Sequence, residues 1–253
     1  MRKPIIIGNW KMNLNLEDAR RLIVELRQGL TDIDEKIIDI VVCPTFVHLQ
    51  GVNFQLPVNI KLGAQDVFWK ERGAYTGEVS PIMLKDVGVR YVIIGHSERR
   101  KNVQETDEVI SKKVEVALAQ KLFPVLCVGE TKEEREKNLT DSIIKEQVTK
   151  DLEGIKAASL ERVIIAYEPV WAISSGKTPT REDANKVAKL IRKVIEERYS
   201  KDQADKVRIL YGGSVDQRNI KEFVNQPQID GALVGEASLS ANKFIKIVEQ
   251  VIK

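Results

Sequence analysis

A single carboxylate, Glu168, lies where a run of apolar residues meets a loop of small residues. The run over residues 163–166 is apolar and rich in β-branched side chains, which is typical of a buried strand that ends just before Glu168. Pro169 disfavours helical backbone at the residue before it, so the carboxylate is predicted to be fixed at the strand end. Gly176 and its small neighbours are typical of a hinged loop. The pattern indicates a general base, although a solvated glutamate at an ordinary strand end would have the same local sequence.

Two other apolar runs end in polar residues of complementary chemistry. One precedes His96, and the other precedes Asn9 and Lys11. A base, a neutral hydrogen-bond donor and a cation are suited to abstracting a proton beside a carbonyl and stabilising the enediolate that results. The polar residues after His96 are typical of a short helix that begins beside the histidine.

Two glycine-containing segments are suited to binding an anion. Residues 210–215 pass from an apolar run into two glycines and Ser214, and residues 230–238 pass through Gly235 and Glu236 into a helix start. Backbone N–H groups in such segments can point at one anion. Either segment alone would also fit an ordinary helix cap, but the two together favour a phosphate site.

Eight short apolar runs recur along the chain, about one every 32 residues, which is the length of a βα unit. They lie at residues 5–7, 38–43, 60–64, 91–94, 123–128, 163–166, 208–210 and 229–234. Between them, apolar residues repeat with helical spacing, as in residues 16–26, 109–117 and 184–194. Strand and helix therefore alternate, which predicts an α/β fold with a parallel sheet.

The number of units predicts how this sheet closes. Eight units favour a (β/α)8 barrel of eight parallel strands over an open doubly wound sheet, which would have a glycine-rich dinucleotide turn after its first strand. Residues 8–11, Gly-Asn-Trp-Lys, are not that turn. No linker or low-complexity segment interrupts the pattern, so residues 1–253 are predicted to form one domain. A barrel gathers the loops after its strands at one end, where the polar residues described above are predicted to meet.

Four motifs of the chain resemble those of the triosephosphate isomerase family. They are GNWKMN at residues 8–13, GHSERR at 95–100, AYEPVWAI at 166–173 and YGGSV at 211–215. They occur in the family's order and spacing, and the resemblance extends from residue 4 to about residue 250. It implies a TIM barrel and an isomerase of glycolysis and gluconeogenesis, which interconverts dihydroxyacetone phosphate and D-glyceraldehyde 3-phosphate through an enediolate without metal or organic cofactor.

The resemblance also implies roles for individual residues. Glu168 would be the base, and His96 would be a neutral electrophile whose pKa is lowered by a helix N-terminus. Lys11 would face the phosphate and the developing oxyanion, with Asn9 hydrogen-bonding nearby. Glu98 would be the acidic partner of the lysine, and structural ion pairing is an alternative role for it.

Phosphate binding and assembly are implied in the same way. The phosphate would contact Ser174, Ser214, Gly235 and Glu236, which follow the sixth, seventh and eighth predicted strands. The loop that begins at Asp66 and ends at Val79 is long and contains aromatic residues, which is typical of a binding segment. In the family this loop docks into a second subunit, so the resemblance implies a homodimer in which Thr76 lies near the partner's active site.

Three positions depart from the family pattern. Ser174 replaces a glycine of the loop, and so loses glycine's freedom at positive φ. Glu236 replaces another glycine and places a carboxylate near the expected dianion. Pro179 occupies a position at which relatives donate a backbone N–H to the tyrosine that matches Tyr211, and proline has no N–H.

Two rival functions are open at this point. A Schiff-base aldolase would share a phosphate-binding barrel, but it would require a lysine on a central strand, and the sixth strand offers Glu168 instead. A catalytically inactive, interaction-only relative would share the fold, since fold does not determine function. The presence of Lys11, His96 and Glu168 together argues against it.

Composition excludes several other classes. The 40 basic and 37 acidic residues give a net charge of +3, which is too small and too evenly spread for a nucleic-acid surface. No apolar run approaches the roughly 20 residues that span a bilayer, so no membrane association is expected. The two cysteines lie in apolar runs without metal-site spacing, which is typical of buried thiols in a reducing compartment. A cytoplasmic location is therefore predicted.

Overall fold

The computed structural model describes residues 2–172 and 179–252. Its strands are β1 Ile5–Asn9, β2 Asp39–Cys43, β3 Ile60–Ala64, β4 Tyr91–Ile94, β5 Phe123–Val128, β6 Ile164–Tyr167, β7 Arg208–Tyr211 and β8 Gly231–Val234. The strands pair in chain order, every pair is parallel, and β8 pairs with β1 to close the sheet. The predicted (β/α)8 barrel is confirmed.

The strand bounds are close to the predicted ones. β3, β4 and β5 have the predicted limits, whereas β1 and β7 extend further, to Asn9 and Tyr211. β8 begins only at Gly231, because the apolar residue Ile229 belongs to a turn in which its N–H donates to Gln226 O. Burial therefore continues into the connection although strand pairing does not.

Helices connect the strands on the outside of the barrel. They are α1 Leu16–Leu30, α2 Leu49–Asn53, α3 Pro81–Asp86, α4 Ser97–Asn102, α5 Asp107–Ala119, α6 Lys132–Glu136, α7 Thr140–Asp151, α8 Arg181–Arg198, α9 Lys201–Lys206, α10 Ile220–Val224 and α11 Ala241–Ile252. Side-chain caps define many of their starts, as where Thr131 and Glu134 form a capping box at α6. Across the described ranges, no helix combines the length and apolarity needed to cross a bilayer.

Alternate strand residues belong to two cores. Ile5 and Ile7 point into the barrel, where they join residues such as Val41, Ile93 and Leu210, whereas Ile6 packs in the layer between the strands and the helices. This alternation is the side-chain period of a β-strand, and both faces are apolar because helices cover the outside. The interior is therefore filled by side chains, and polar groups must collect at the ends.

Gly231 lies at the seam where β8 meets β1. Its φ is +153°, and a Cβ at this position would lie 1.8 Å from the carbonyl oxygen of Ile5. That oxygen belongs to backbone, which cannot move without disturbing the pairing of Ile5 with Gly231. Only glycine therefore fits at this point of closure.

We expect Gly231→Ala to lower the free energy of unfolding by more than the roughly 1–3 kcal/mol of backbone strain alone, because it adds a backbone clash. Gly154→Ala is the matched control, since Gly154 also has a positive φ (+75°) but no atom within 4 Å of the added Cβ. Urea unfolding of both variants measures the difference. Equal losses in the two variants would contradict a steric role for Gly231.

Candidate active site

The predicted site residues meet at one end of the barrel. A cavity of about 490 Å³ opens beyond the carboxyl ends of the strands, and seven of its lining residues were predicted from sequence: Asn9, Lys11, His96, Glu168, Ser214, Gly235 and Glu236. Glu98 does not line the cavity but contacts Lys11. Ser174 lies outside the described residues. Side chains more than 220 positions apart in the sequence thus share one cavity.

Glu168 is a buried carboxylate with two partners. Its side chain is 2% exposed. The residue directly follows β6, and its backbone N–H donates to Val128 O of β5 at 2.8 Å. Oε1 lies 2.8 Å from His96 Nε2, and Oε2 accepts from the N–H of Ser97 at 2.9 Å. Burial acts to raise the pKa of Glu168, but His96 and the Ser97 N–H outweigh it, so the pKa is below the ordinary value. The group is a carboxylate, as a base must be.

His96 precedes α4 and caps it with its ring. Nδ1 accepts from the backbone N–H of Glu98, 3.2 Å, and a ring nitrogen can accept only when it carries no proton. In the neutral ring the proton therefore lies on Nε2, which donates to Glu168. This tautomer directs an N–H into the cavity.

The contact with Glu168 also affects the charge of the ring. Burial acts to lower the pKa of His96, but the charge of Glu168, the hydrogen bond to it and the nearby Glu98 together raise this pKa above the ordinary value. The raised pKa depends on contact with Glu168. When the carboxylate is moved or neutralised, burial and the helix N-terminus act in the same direction and favour the neutral ring.

Lys11 is held in an unusual conformation. Its φ is +53°, which is uncommon for a residue other than glycine, and its backbone N–H donates to Asn9 Oδ1 at 3.1 Å. Nζ pairs with Glu98 Oε1 at 2.5 Å. A Cβ built on Gly235 would lie 3.6 Å from Lys11 Cε, so the lysine side chain adjoins the predicted phosphate-binding residue Gly235.

The predicted phosphate end follows β7 and β8. Gly235 directly precedes the 3-10 turn Glu236–Leu239, and its carbonyl accepts from the N–H of Ser238 at 2.9 Å. Ser214 is exposed to the cavity, and its carbonyl accepts from Asn219 Nδ2 at 3.0 Å. Both carbonyl groups are therefore hydrogen-bonded within their own loops.

Comparison with known proteins agrees with this geometry. The family model for triosephosphate isomerase matches residues 4–251. The chain belongs to the triosephosphate isomerase family. Triosephosphate isomerases of Dictyoglomus turgidum and of Thermoanaerobacter sp. strain X514 are each 51% identical over 249 residues, 98% of this chain and 99% of theirs. That of Clostridium perfringens strain SM101 is 49% identical over the same length.

Two glycines, Gly129 and Gly212, pack against Glu168, and the structure shows why no larger residue fits at either position. A Cβ on Gly212 would lie 2.9 Å from Glu168 Cγ, and a Cβ on Gly129 would lie 1.7 Å from the backbone oxygen of Glu168. Gly212 belongs to the YGGSV motif. Gly129 gives no local signal, because the residue that it must accommodate is about 40 positions away in the sequence.

A second buried carboxylate anchors the chain after β6. Glu130 is fully buried and accepts from Tyr167 Oη at 3.1 Å and from Trp171 Nε1 at 2.9 Å. Arg135 Nη1 lies 3.2 Å from Glu130 Oε1. The Arg135 guanidinium also stacks over the Trp171 ring, with its central carbon 4.2 Å from the ring centroid. The segment that carries Glu168 is therefore fixed on both sides of the base.

Tyr211 is the last residue of β7. Its hydroxyl is buried and has no hydrogen-bond partner among the residues that the structure describes. The ring stacks on Phe223 at a centroid distance of 3.9 Å, and burial raises the pKa of the phenol. Packing rather than hydrogen bonding thus holds this side chain in the described part of the site.

No three His, Cys, Asp or Glu side chains in residues 2–172 and 179–252 are grouped as a metal site. Basic residues line the cavity, and positive charge suits a phosphorylated anion. Arg218 and Lys243 also line it, and the sequence did not predict them because neither lies in a family motif.

The proton affinity of His96 should follow the charge of Glu168. We expect Glu168→Gln to lower the pKa of His96, because it removes the negative charge that raises this pKa and leaves burial in place. The ring should then stay neutral to a lower pH than in the unchanged protein. NMR titration of ¹⁵N-labelled imidazole measures the shift.

Glu98→Gln is the matched control for this titration. Glu98 Oε2 lies farther from the ring, 3.7 Å from Nδ1, and its side chain is about half exposed, so its removal should lower the His96 pKa less. A His96 pKa that is unchanged by Glu168→Gln would contradict the assigned coupling.

Proposed function

We propose that this protein is a triose-phosphate isomerase that interconverts dihydroxyacetone phosphate and D-glyceraldehyde 3-phosphate by proton transfer through an enediolate. The observation that carries the proposal is the buried Glu168 carboxylate, placed with His96 Nε2–H and Lys11 around one cavity. Family membership and the identity of about half the sequence to triosephosphate isomerases support the same reaction.

Glu168 is the proposed base. Its carboxylate takes a proton from the carbon beside the substrate carbonyl and returns it to the neighbouring carbon, so that no net proton is gained or lost. His96 Nε2–H donates to the carbonyl oxygen as negative charge develops there. Lys11 and Asn9 lie beside the same cavity, and the lysine charge stabilises the enediolate oxygens. Glu98 holds Lys11 in position through their ion pair.

The phosphate is proposed to bind at the backbone N–H groups of Ser214, Gly235 and Glu236, together with the predicted contact at Ser174. Backbone donors at strand ends and turn starts suit a dianion because they carry fixed partial positive charge. Lys11 adjoins Gly235, so binding of the phosphate also orients the reacting carbons toward Glu168.

Among the residues that the structure describes, no lysine on a strand supplies the amine that the rival aldolase mechanism requires. Lys61 lies on β3, but its Nζ donates to Glu35 Oε2, in the connection before β2, and to Val58 O, in the connection before β3, each at 2.6 Å. It therefore points to the opposite end of the barrel. The lysines that line the cavity among described residues, Lys11 and Lys243, lie in a loop and on α11 rather than on a strand.

A coupled assay with dihydroxyacetone phosphate tests the reaction itself. Glu168→Gln keeps the shape of the side chain but removes its ability to accept a proton. We expect turnover to fall by about 10² or more, the range typical of general-base loss, with substrate binding largely retained. Near-native turnover in this variant would overturn the assignment of the base, and absence of any activity in the unchanged protein would favour an interaction-only relative.

We further propose that the chain, as a single domain over residues 1–253, assembles as a homodimer in the cytoplasm and binds neither nucleic acid nor membrane. Support for the dimer comes from large apolar side chains exposed in one sector of the rim: Met12 (92%), Val47 (83%), Met83 and Tyr75. They lie in the connections after β1, β2 and β3 and at α3, and these strands are neighbours. The two free, buried cysteines support a reducing location.

The loop after β3 is the proposed docking element. Phe68 packs on Trp69 and Tyr75 at centroid distances of 4.0 and 4.6 Å, and its N–H donates to Val79 O, so the loop has internal structure. Residues 70–78, which include Thr76, are all exposed. An ordered and protruding loop is suited to insertion into a second copy.

Deletion of residues 73–77 should give a folded monomer with poor activity, because the loop would no longer reach the partner. Val47→Asp should weaken the dimer as well, by placing a charge in the apolar interface. Val58→Asp is the matched control, since Val58 is equally exposed (81%) but precedes β3 at the opposite end of the barrel. Sedimentation velocity distinguishes the states, and a dimer that survives the deletion would place the interface elsewhere.

A further inference from the structure

The charges around the phosphate end of the cavity are unequally paired. Asp216, Arg218, Glu236 and Lys243 all line it. The guanidinium of Arg218 binds Asp216 Oδ2 through Nε at 2.9 Å and Nη2 at 2.5 Å, so these two charges largely compensate each other. Lys11 is compensated by Glu98 in the same way.

Glu236 and Lys243 remain without such partners. Within the described residues, neither side chain forms an ion pair or a hydrogen bond, although both residues line the same cavity. Glu236 alone would repel a dianion. Lys243 is thus the lining cation whose charge is left available to one.

The position of Lys243 near the start of α11 does not stabilise the helix. It is the third residue of α11, whose first turn carries no acidic residue. A cation near a helix N-terminus is disfavoured by the helix dipole, whereas the C-terminal end would favour it. Since α11 packs against the Glu236–Leu239 turn, the helix places this cation beside the residues proposed to bind phosphate.

We propose that Lys243 is a phosphate-binding residue of this enzyme, and that its charge offsets Glu236 when the dianionic substrate binds. The proposal rests on the proposed function, and specifically on a phosphate site at Ser214, Gly235 and Glu236. The role of Lys243 is confined to binding: the phosphate keeps its charge throughout the reaction, so the attraction of the lysine for it is expected to be the same in the ground state and the transition state.

The first test is a set of charge variants. Lys243→Gln should raise KM for dihydroxyacetone phosphate about three- to tenfold at low salt with kcat nearly unchanged, and should weaken inhibition by inorganic phosphate by a similar factor. Glu236→Gln should strengthen phosphate inhibition, and the double variant should return close to the unchanged protein. The effects should shrink at high ionic strength, where exposed charges are screened.

Two controls exclude a structural explanation. Lys246→Gln alters an exposed lysine one turn further along α11 that does not line the cavity, and it should change neither constant. Isomerisation of phosphate-free D-glyceraldehyde should be unaffected by Lys243→Gln, because that substrate carries no charge for the lysine to bind. Damage to the fold would impair this reaction too and would not be relieved by Glu236→Gln.

Inhibition of the unchanged protein by inorganic phosphate separates failure of this inference from failure of the proposed function. If inorganic phosphate inhibits the unchanged protein and Lys243→Gln does not weaken that inhibition, Lys243 has no part in the site and the inference is overturned while the phosphate site stands. If inorganic phosphate does not inhibit the unchanged protein, the proposed phosphate site itself is wrong.

Discussion

Burial of one carboxylate determines much of the arrangement at the barrel's rim. Glu168 is 2% exposed, and a buried carboxylate is strongly destabilising unless charged or hydrogen-bonded partners face it. Its partners, His96 and the Ser97 N–H, follow β4, whereas Glu168 follows β6. They meet because β5 pairs with both strands and all three parallel strands end at the same rim. Parallel pairing of β4, β5 and β6 therefore brings the proposed base to the partners that keep it ionised.

The need to surround the buried Glu168 with partners also explains neighbouring residues that take no part in the proposed reaction. Glu168 can turn toward His96 only if the backbone around it is packed without intervening side chains, and Gly129 and Gly212 leave that space. Glu130 then fixes Trp171 and Tyr167, the residues on either side of the base. Buried polar groups that are fully hydrogen-bonded make a site rigid, and a rigid base needs little reorganisation during proton transfer.

The sequence predicted the strands well because strands buried on both faces are continuously apolar, as in β4 and β5. It could not predict the start of β8, since Ile229 is buried by packing in a turn rather than by strand pairing. It also gave no signal for Gly129 or Lys243. Their significance depends on neighbours far away in the sequence, and local pattern carries information only about residues one or two turns apart.

The two ends of the site are expected to differ in their tolerance of substitution, because one uses side-chain atoms and the other uses backbone N–H groups. The proposed catalytic end uses side-chain atoms of Glu168, His96 and Lys11, for which no other residue type supplies the same group at the same place. The proposed phosphate end uses backbone N–H groups, which every residue except proline supplies. Gly235 has φ of −84° and ψ of −112°, and Glu236 simply begins the following 3-10 turn, so a glutamate can replace glycine there without loss of the donor. What such a replacement changes is local charge, and charge is corrected most readily by another side chain facing the same cavity.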